Sequence, residues 1–249
     1  MAIQTIVIQV RENKNLLTKK VASIIFFLIS FYVVPLSLKP ELLINWHVIF
    51  LATICTILFA SQPRLSIAES KQKKSTDRNT IWLILMGSGI GQIASLVEWA
   101  YFNNQSYNIT TLVLPIGFEV AHTSIAPSFN YWTIIGAILL IAGTAFRLYA
   151  IHTLGKYFSS TVQIKRDHKI IKAGPYKVLR HPSYTGAYIA MLGSAVFLHS
   201  ITGILIFGIG MLLVYHLRIK TEEQTLIQNF KEEYLNYKKN TYKMFPLVW

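Results

Sequence analysis

Apolar residues fall into six runs separated by polar and charged stretches: 21–37, 48–60, 81–100, 131–151, 184–198 and 201–217. Crossing the hydrocarbon core of a bilayer takes about 20 apolar residues. The third and fourth runs reach that length, and the second does so only if 42–46 joins it. The last two are short, with only His199 and Ser200 between them. They predict a tight helical hairpin, either spanning or re-entrant. Beyond Arg218 the pattern changes: Glu223, Leu226, Ile227, Phe230, Tyr234 and Tyr237 recur at spacings of three and four, which predicts an amphipathic helix. Lys231, Glu232, Lys238 and Lys239 lie on its charged side. Such a helix either lies along a membrane surface or caps the segment 152–183. The apolar, aromatic end, 244–249, is expected at the membrane interface. The fold class predicted is all-α: a polytopic membrane bundle of about six helices with a C-terminal amphipathic helix.

Composition supports this reading. Mean hydropathy is +0.42 and only 14% of residues are charged, against about 25% in soluble domains. The net charge of +13 raises the question of nucleic acid, but its placement answers it. Of the 24 Lys and Arg, 22 fall in 11–20, 62–79, 152–183 and the tail from 218, whereas 101–130 has none. That alternation follows the positive-inside rule, with six crossings and both termini cytoplasmic. Cys55, the single cysteine, is expected as a small buried hydrophobe, which excludes an intrachain disulfide framework. No cleavable signal peptide is apparent at the N-terminus. Arg147 lies inside the fourth run near its cytoplasmic end, where an arginine either snorkels or faces inward. Gly87 and Gly91, four apart in the third run, suit close helix packing rather than a phosphate loop. Asn104 and Asn108 open two glycosylation sequons on the predicted outer side.

The candidate chemistry sits in Gly174-Pro-Tyr-Lys-Val-Leu-Arg-His-Pro-Ser-Tyr-Thr-Gly186, at a predicted membrane edge. Pro175 and Pro182 fix φ and push their preceding residues out of helical geometry, so the stretch reads as a shaped connector rather than a helix. A tight hairpin returns its ends to one side. His181, Tyr176 and Tyr184 should therefore face Arg218, Glu222 and Glu223. Arg218 and Glu222, four apart, share a helix face, whereas Glu223 points elsewhere and reads as structural. No second His or Cys stands at metal-ligand spacing from His181, and H-E-x-x-H and G-x-S-x-G are both absent.

Leu154-Gly-Lys-Tyr-Phe-Ser-Ser-Thr-Val-Gln163, Gly174-Pro-Tyr, Arg180-His-Pro-Ser-Tyr-Thr-Gly186, Arg218 with Glu222-Glu223, and Phe230-Lys-Glu-Glu-Tyr-Leu-Asn-Tyr-Lys-Lys239 occur in this order. Over about 143–246 the set resembles the isoprenylcysteine carboxyl methyltransferase family. The resemblance implies a membrane-embedded enzyme using S-adenosylmethionine without a Rossmann fold. Together with the apolar runs and the charge pattern above, it divides the chain into a cytoplasmic segment 1–20, transmembrane helices in 21–142 and a methyltransferase core in 143–249. It places cofactor contacts on Gln163, His168, Lys169, Ile170, Ile171, Tyr176, His181, Pro182, Ser183, Tyr184 and Glu222. The substrate-binding and catalytic position falls on Arg218, and no metal is implied. The residue types agree: apolar and aromatic side chains for adenine, aromatic faces for a sulfonium, a carboxylate for an ammonium, and a guanidinium for an acceptor carboxylate. The implied partners are membrane lipids and a lipid-modified or otherwise hydrophobic carboxylate substrate entering from the bilayer.

The chain departs from the family pattern at Lys220 and Thr221, where acidic residues are common, and at Lys231, where glycine is usual. Its richness in Ile, Lys and Asn points to a bacterial inner membrane, the endoplasmic reticulum being the eukaryotic counterpart. Two other readings stand beside carboxyl methylation. A phospholipid N-methyltransferase would keep the cofactor residues but present an amine to Arg218. A non-enzymatic lipid-binding or transport protein would place its polar cluster at mid-bilayer rather than at the edge.

Overall fold

The computed structural model describes residues 17–62, 75–102, 131–159 and 169–246, with side chains from residue 80 onward in the second stretch. Every regular element among them is helical. The chain divides into two compact units, Met1–Gln62 and Pro63–Trp249.

In the first unit, helix α1 (17–33) ends in a π turn at Ile29–Val33, and α2 is Trp46–Ala60. Phe27 stacks on Phe59 at 4.6 Å between ring centroids, which pairs α1 with α2 as a hairpin. Of the segment 42–46 only Trp46 joins α2. Pro40–Ile44 forms a separate 3₁₀ turn, and the Asn45 side chain caps α2 by accepting from the His47 amide. Cys55 is half-buried against the Tyr32 hydroxyl rather than buried.

The second unit holds α3 (Ser75–Val97, continued by a π turn at Glu98–Phe102), α4 (Tyr131–Leu154), α5 (Pro182–Phe197), α6 (Ile201–Phe230) and α7 (Glu232–Lys239). Among the described residues three helices are long and apolar enough to cross a membrane: Thr80–Phe102, Tyr131–Tyr157 and Ile201–Phe230. Helix α5, with 16 residues, is shorter. The hairpin is present. Helices α5 and α6 join through Leu198–Ser200, with His199 at φ 53°, and run antiparallel so that the Tyr188 hydroxyl donates to the Gly208 carbonyl at 2.8 Å. The change of pattern beyond Arg218 does not start a new helix. Helix α6 runs unbroken through it to Phe230, because Ile219, Glu223 and their neighbours continue one buried face.

Small residues set the spacing. A side chain at Gly186 would meet the Arg147 amide nitrogen at 2.6 Å, and one at Gly193 would meet the Leu140 nitrogen at 2.5 Å. Helices α4 and α5 therefore touch backbone to backbone. Gly87 and Gly91 admit Met211 and Phe207 of α6, as the packing reading required. Glu98 closes the far end of α6 by accepting from the Ser200 hydroxyl and from the Ile201 and Thr202 amides.

Candidate active site

The connector is built from turns. Gly174, at φ 52°, opens a 3₁₀ turn over Gly174–Lys177. The connector then ends sooner than the prolines implied. His181, at φ −126°, is the N-cap of α5 and Pro182 its first residue, where a missing N–H and a fixed φ are no obstacle.

The C-terminal segment straps the connector down. The Tyr242 amide donates to the Val178 carbonyl at 2.9 Å, the Arg180 amide to Tyr242 at 2.8 Å and the His181 amide to Lys243 at 3.1 Å. Arg180 is the rivet. Its Nε meets Glu223 Oε1 at 2.8 Å, and its Nη1 donates to the Lys238 and Thr241 carbonyls. Glu223 also receives Lys238 Nζ at 2.7 Å and lies 3.4 Å from His181 Nε2. Its carboxylate is thus engaged by His181, Lys238 and Arg180 together. Glu223 therefore ties the strap to the connector, where its register had it pointing elsewhere.

Helix α7 caps the connector instead of lying free. The Tyr237 hydroxyl donates to the Tyr176 carbonyl at 2.7 Å, and Lys172 meets Glu233 at 3.3 Å. Burial pushes the Tyr237 phenol up to about 12 and lifts Tyr176 above its usual range, the latter helped by the Glu222 charge. The end at 244–249, expected at the membrane interface, is instead drawn into the protein where it is described. Met244 is fully buried, its carbonyl accepts from the Thr185 hydroxyl, and Phe245 meets the Tyr188 ring edge-on.

These elements enclose one cleft. Lys169, Ile170, Ile171, Tyr176, His181, Ser183, Tyr184 and Glu222 all line it. Pro182 is buried behind the wall, and Gln163 and His168 lie outside the described residues. Sequence reasoning missed Leu154, Tyr157, Phe158, Ser159, Arg180, Leu226, Tyr234 and Tyr237 as lining residues. The i, i+3 spacing of Tyr234 and Tyr237 was the available signal for two of them. It also left Arg147 undecided. That side chain is buried and turned inward, donating to the Ser183 carbonyl at 2.8 Å and so fixing the first turn of α5 to α4. A second, more open cleft behind Tyr237 is lined by Lys172, Lys177, Asn236, Asn240 and Thr241. Among the described residues no carboxylate lines it, and Tyr237 is its one aromatic residue.

At the base of the first cleft a single hydroxyl on α5 links two side chains of α6. Tyr184 donates to Glu222 Oε2 at 3.0 Å and accepts from Arg218 Nε at 3.2 Å. His181 Nδ1 stands 4.0 Å from the same Glu222 oxygen, and its ring stacks on Tyr184. The Glu222 side chain is 29% exposed into the cleft, whereas its neighbour Glu223 is 7% exposed and fully engaged. Arg218 is buried behind Tyr184 and does not line the cleft itself. The site thus offers a carboxylate among aromatic and apolar walls, with a guanidinium one hydroxyl away.

Residues 134–228 match the model of the isoprenylcysteine carboxyl methyltransferase (ICMT) family. The protein-S-isoprenylcysteine O-methyltransferase of Saccharomyces cerevisiae is 35% identical over 118 residues, 47% of this chain and 49% of that protein. Its counterpart in Dictyostelium discoideum is 34% identical over 121 residues, 48% of this chain and 51% of the relative. Protein-S-isoprenylcysteine O-methyltransferase B of Arabidopsis thaliana is 32% identical over 123 residues, 48% and 62% respectively. The matches cover about half of the chain and about half of these relatives. Among solved structures, the eukaryotic intramembrane Ras methyltransferase ICMT, determined without a monobody, has the same fold. Its TM-score is 0.53 at 20% identity, with 81% of this chain and 63% of that one covered.

Proposed function

We propose that this chain, which carries the ICMT family segment in residues 134–228, is an integral-membrane methyltransferase. It moves a methyl group from S-adenosylmethionine to the carboxylate of a lipid-tailed acceptor of the isoprenylcysteine type. The observation that carries the reading is the Glu222–Tyr184–Arg218 chain at the base of an aromatic cleft.

The residues present fit the cofactor. Ile170, Ile171, Tyr176 and Tyr184 line the cleft and offer apolar and aromatic surface of the kind an adenine needs, and Glu222 is a carboxylate for the ammonium. The aromatic walls suit a sulfonium. When bound, S-adenosylmethionine supplies an electrophilic methyl carbon. The acceptor carboxylate is already ionised at neutral pH, so no residue has to act as a base. The protein's work is alignment and exclusion of water. Arg218 suits orientation of a carboxylate through its fork of donors. The grip must leave one oxygen lone pair for the methyl carbon. The positive-inside pattern supports a cytoplasmic cleft, so that the soluble cofactor would enter from there and the lipid tail from the bilayer.

Calorimetry of the detergent-solubilised protein with S-adenosylhomocysteine tests this. Wild type binds at micromolar levels, Glu222→Ala loses binding, and Arg218→Ala binds but transfers no methyl to a prenylcysteine analogue. A wild type that binds no S-adenosylhomocysteine refutes the reading. Transfer to an amine rather than a carboxylate would move the acceptor to phospholipid.

A further inference from the structure

The acceptor half of the site reaches outside the family segment. Arg218 is 2% exposed, and its guanidinium is held at two of its nitrogens by different helices. Nε donates to the Tyr184 hydroxyl of α5 at 3.2 Å, and Nη1 donates to Thr80 Oγ1 of α3 at 3.1 Å. Thr80 is itself buried and lies 54 positions before residue 134, where the family match starts. The meeting is no accident of a long side chain. Helices α3 and α6 are zipped antiparallel by Gly91 against Phe207 and Gly87 against Met211. Continuing that register brings the start of α3 to Arg218.

Two donors committed to acceptors on two helices define the plane of a guanidinium, which is rigid and flat. Each bond restricts how the group can turn. The hydroxyl is the chemistry required, since a methyl in its place keeps the volume and loses the acceptor.

We propose that Thr80 is a positioning residue for Arg218. Together with Tyr184 it sets the guanidinium plane against which the acceptor carboxylate is held, so that α3 forms part of the acceptor half of the site. This rests on the methyltransferase reading above, and its consequence is a split between the two substrates. Thr80 touches the arginine assigned to the acceptor and does not line the cofactor cleft.

The test uses Thr80→Val and Thr80→Ser in the full chain, with three readouts. Thr80→Val is expected to lower kcat/KM for a prenylcysteine carboxylate about tenfold, the scale of one hydrogen bond to a charged group. Its affinity for S-adenosylhomocysteine stays within about twofold of wild type. Thr80→Ser, which keeps the oxygen, recovers most of the loss. The third readout is the rate at which phenylglyoxal modifies Arg218, followed by peptide mapping. It rises several-fold in Thr80→Val and not in Thr80→Ser. Equal losses in both variants would mean that size rather than the hydroxyl matters, and would overturn the assignment. So would a parallel loss of cofactor affinity, or unchanged kinetics in Thr80→Val. If wild type methylates no carboxylate, the reaction reading fails. The phenylglyoxal rates then decide positioning alone, and equal rates in all three proteins refute it.

Discussion

Gly186→Ala is the sharpest perturbation of this fold. A Cβ there would lie 2.6 Å from the Arg147 nitrogen, 2.7 Å from the Gly143 carbonyl oxygen and 2.8 Å from the Arg147 Cα. All three are backbone atoms of α4, so no side chain can swing away. Ordinary contact begins at 3.4 Å, so the two helices must part locally by about 0.8 Å. Overpacking of this kind destabilises by about 1–3 kcal/mol. Better helix propensity returns at most about 1 kcal/mol of that. The larger effect is on the site. Gly186 is two residues from Tyr184 and five from His181, and the displacement pulls at the Arg147–Ser183 bond that fixes the start of α5. A misplacement near 1 Å is worth up to about a hundredfold in rate. A loss of tens-fold in methyl transfer is therefore expected, with a lower melting temperature in detergent. Gly210→Ala is the matched control: nothing lies within 4 Å of its Cβ, so stability and turnover should stay at wild type or slightly above. Gly186→Ala melting and turning over like wild type would falsify the backbone-contact account.

Other outcomes follow from the same geometry. Lys231 sits at φ 47°, ψ −122°, a region that favours glycine, between α6 and α7. Lys231→Gly should therefore raise stability by about 1 kcal/mol in a denaturation series, and a loss would remove strain from the account. Arg180→Ala leaves Glu223 buried with fewer partners and should weaken the strap by about 3–5 kcal/mol, seen as faster hydrogen exchange over 240–246. Adding Glu223→Ala should return part of that stability, and an additive loss would contradict the ion-pair reading. Tyr237 is pushed up to about 12 from an unfolded value near 10, so the neutral phenol is the form the fold holds. Its contribution is complete below about pH 10 and is lost as pH rises through about 12. Tyr237→Phe should flatten stability against pH across that window, and an unchanged slope would exclude this tyrosine as its source.

Much of this was legible in the chain. Hydrophobic runs located α4 and α5 to within a few residues, because burial in lipid or protein demands apolar side chains whatever their partners, but they missed the polar first turns of α3 and the amphipathic last turns of α6. The His199-Ser200 break forced a hairpin. That hairpin could only bring 174–186 alongside Arg218 and Glu222, so the gathering of Tyr176, His181, Tyr184 and Glu222 was deducible before any coordinates. The resemblance to a known family narrowed the chemistry further.

Other features needed the tertiary structure. Whether Arg147 snorkels or turns inward depends on which atom lies opposite, and that atom is a carbonyl 36 positions away. Whether α7 lies on a membrane or on the connector is equally compatible with its periodicity. The Tyr237–Tyr176 bond decides it. Thr80 carries no local signal at all. A threonine at the start of an apolar run means nothing until glycine-set packing of α3 on α6 puts it beside a buried guanidinium. Periodicity is a local property of the chain, whereas partner choice is fixed only when distant backbones approach.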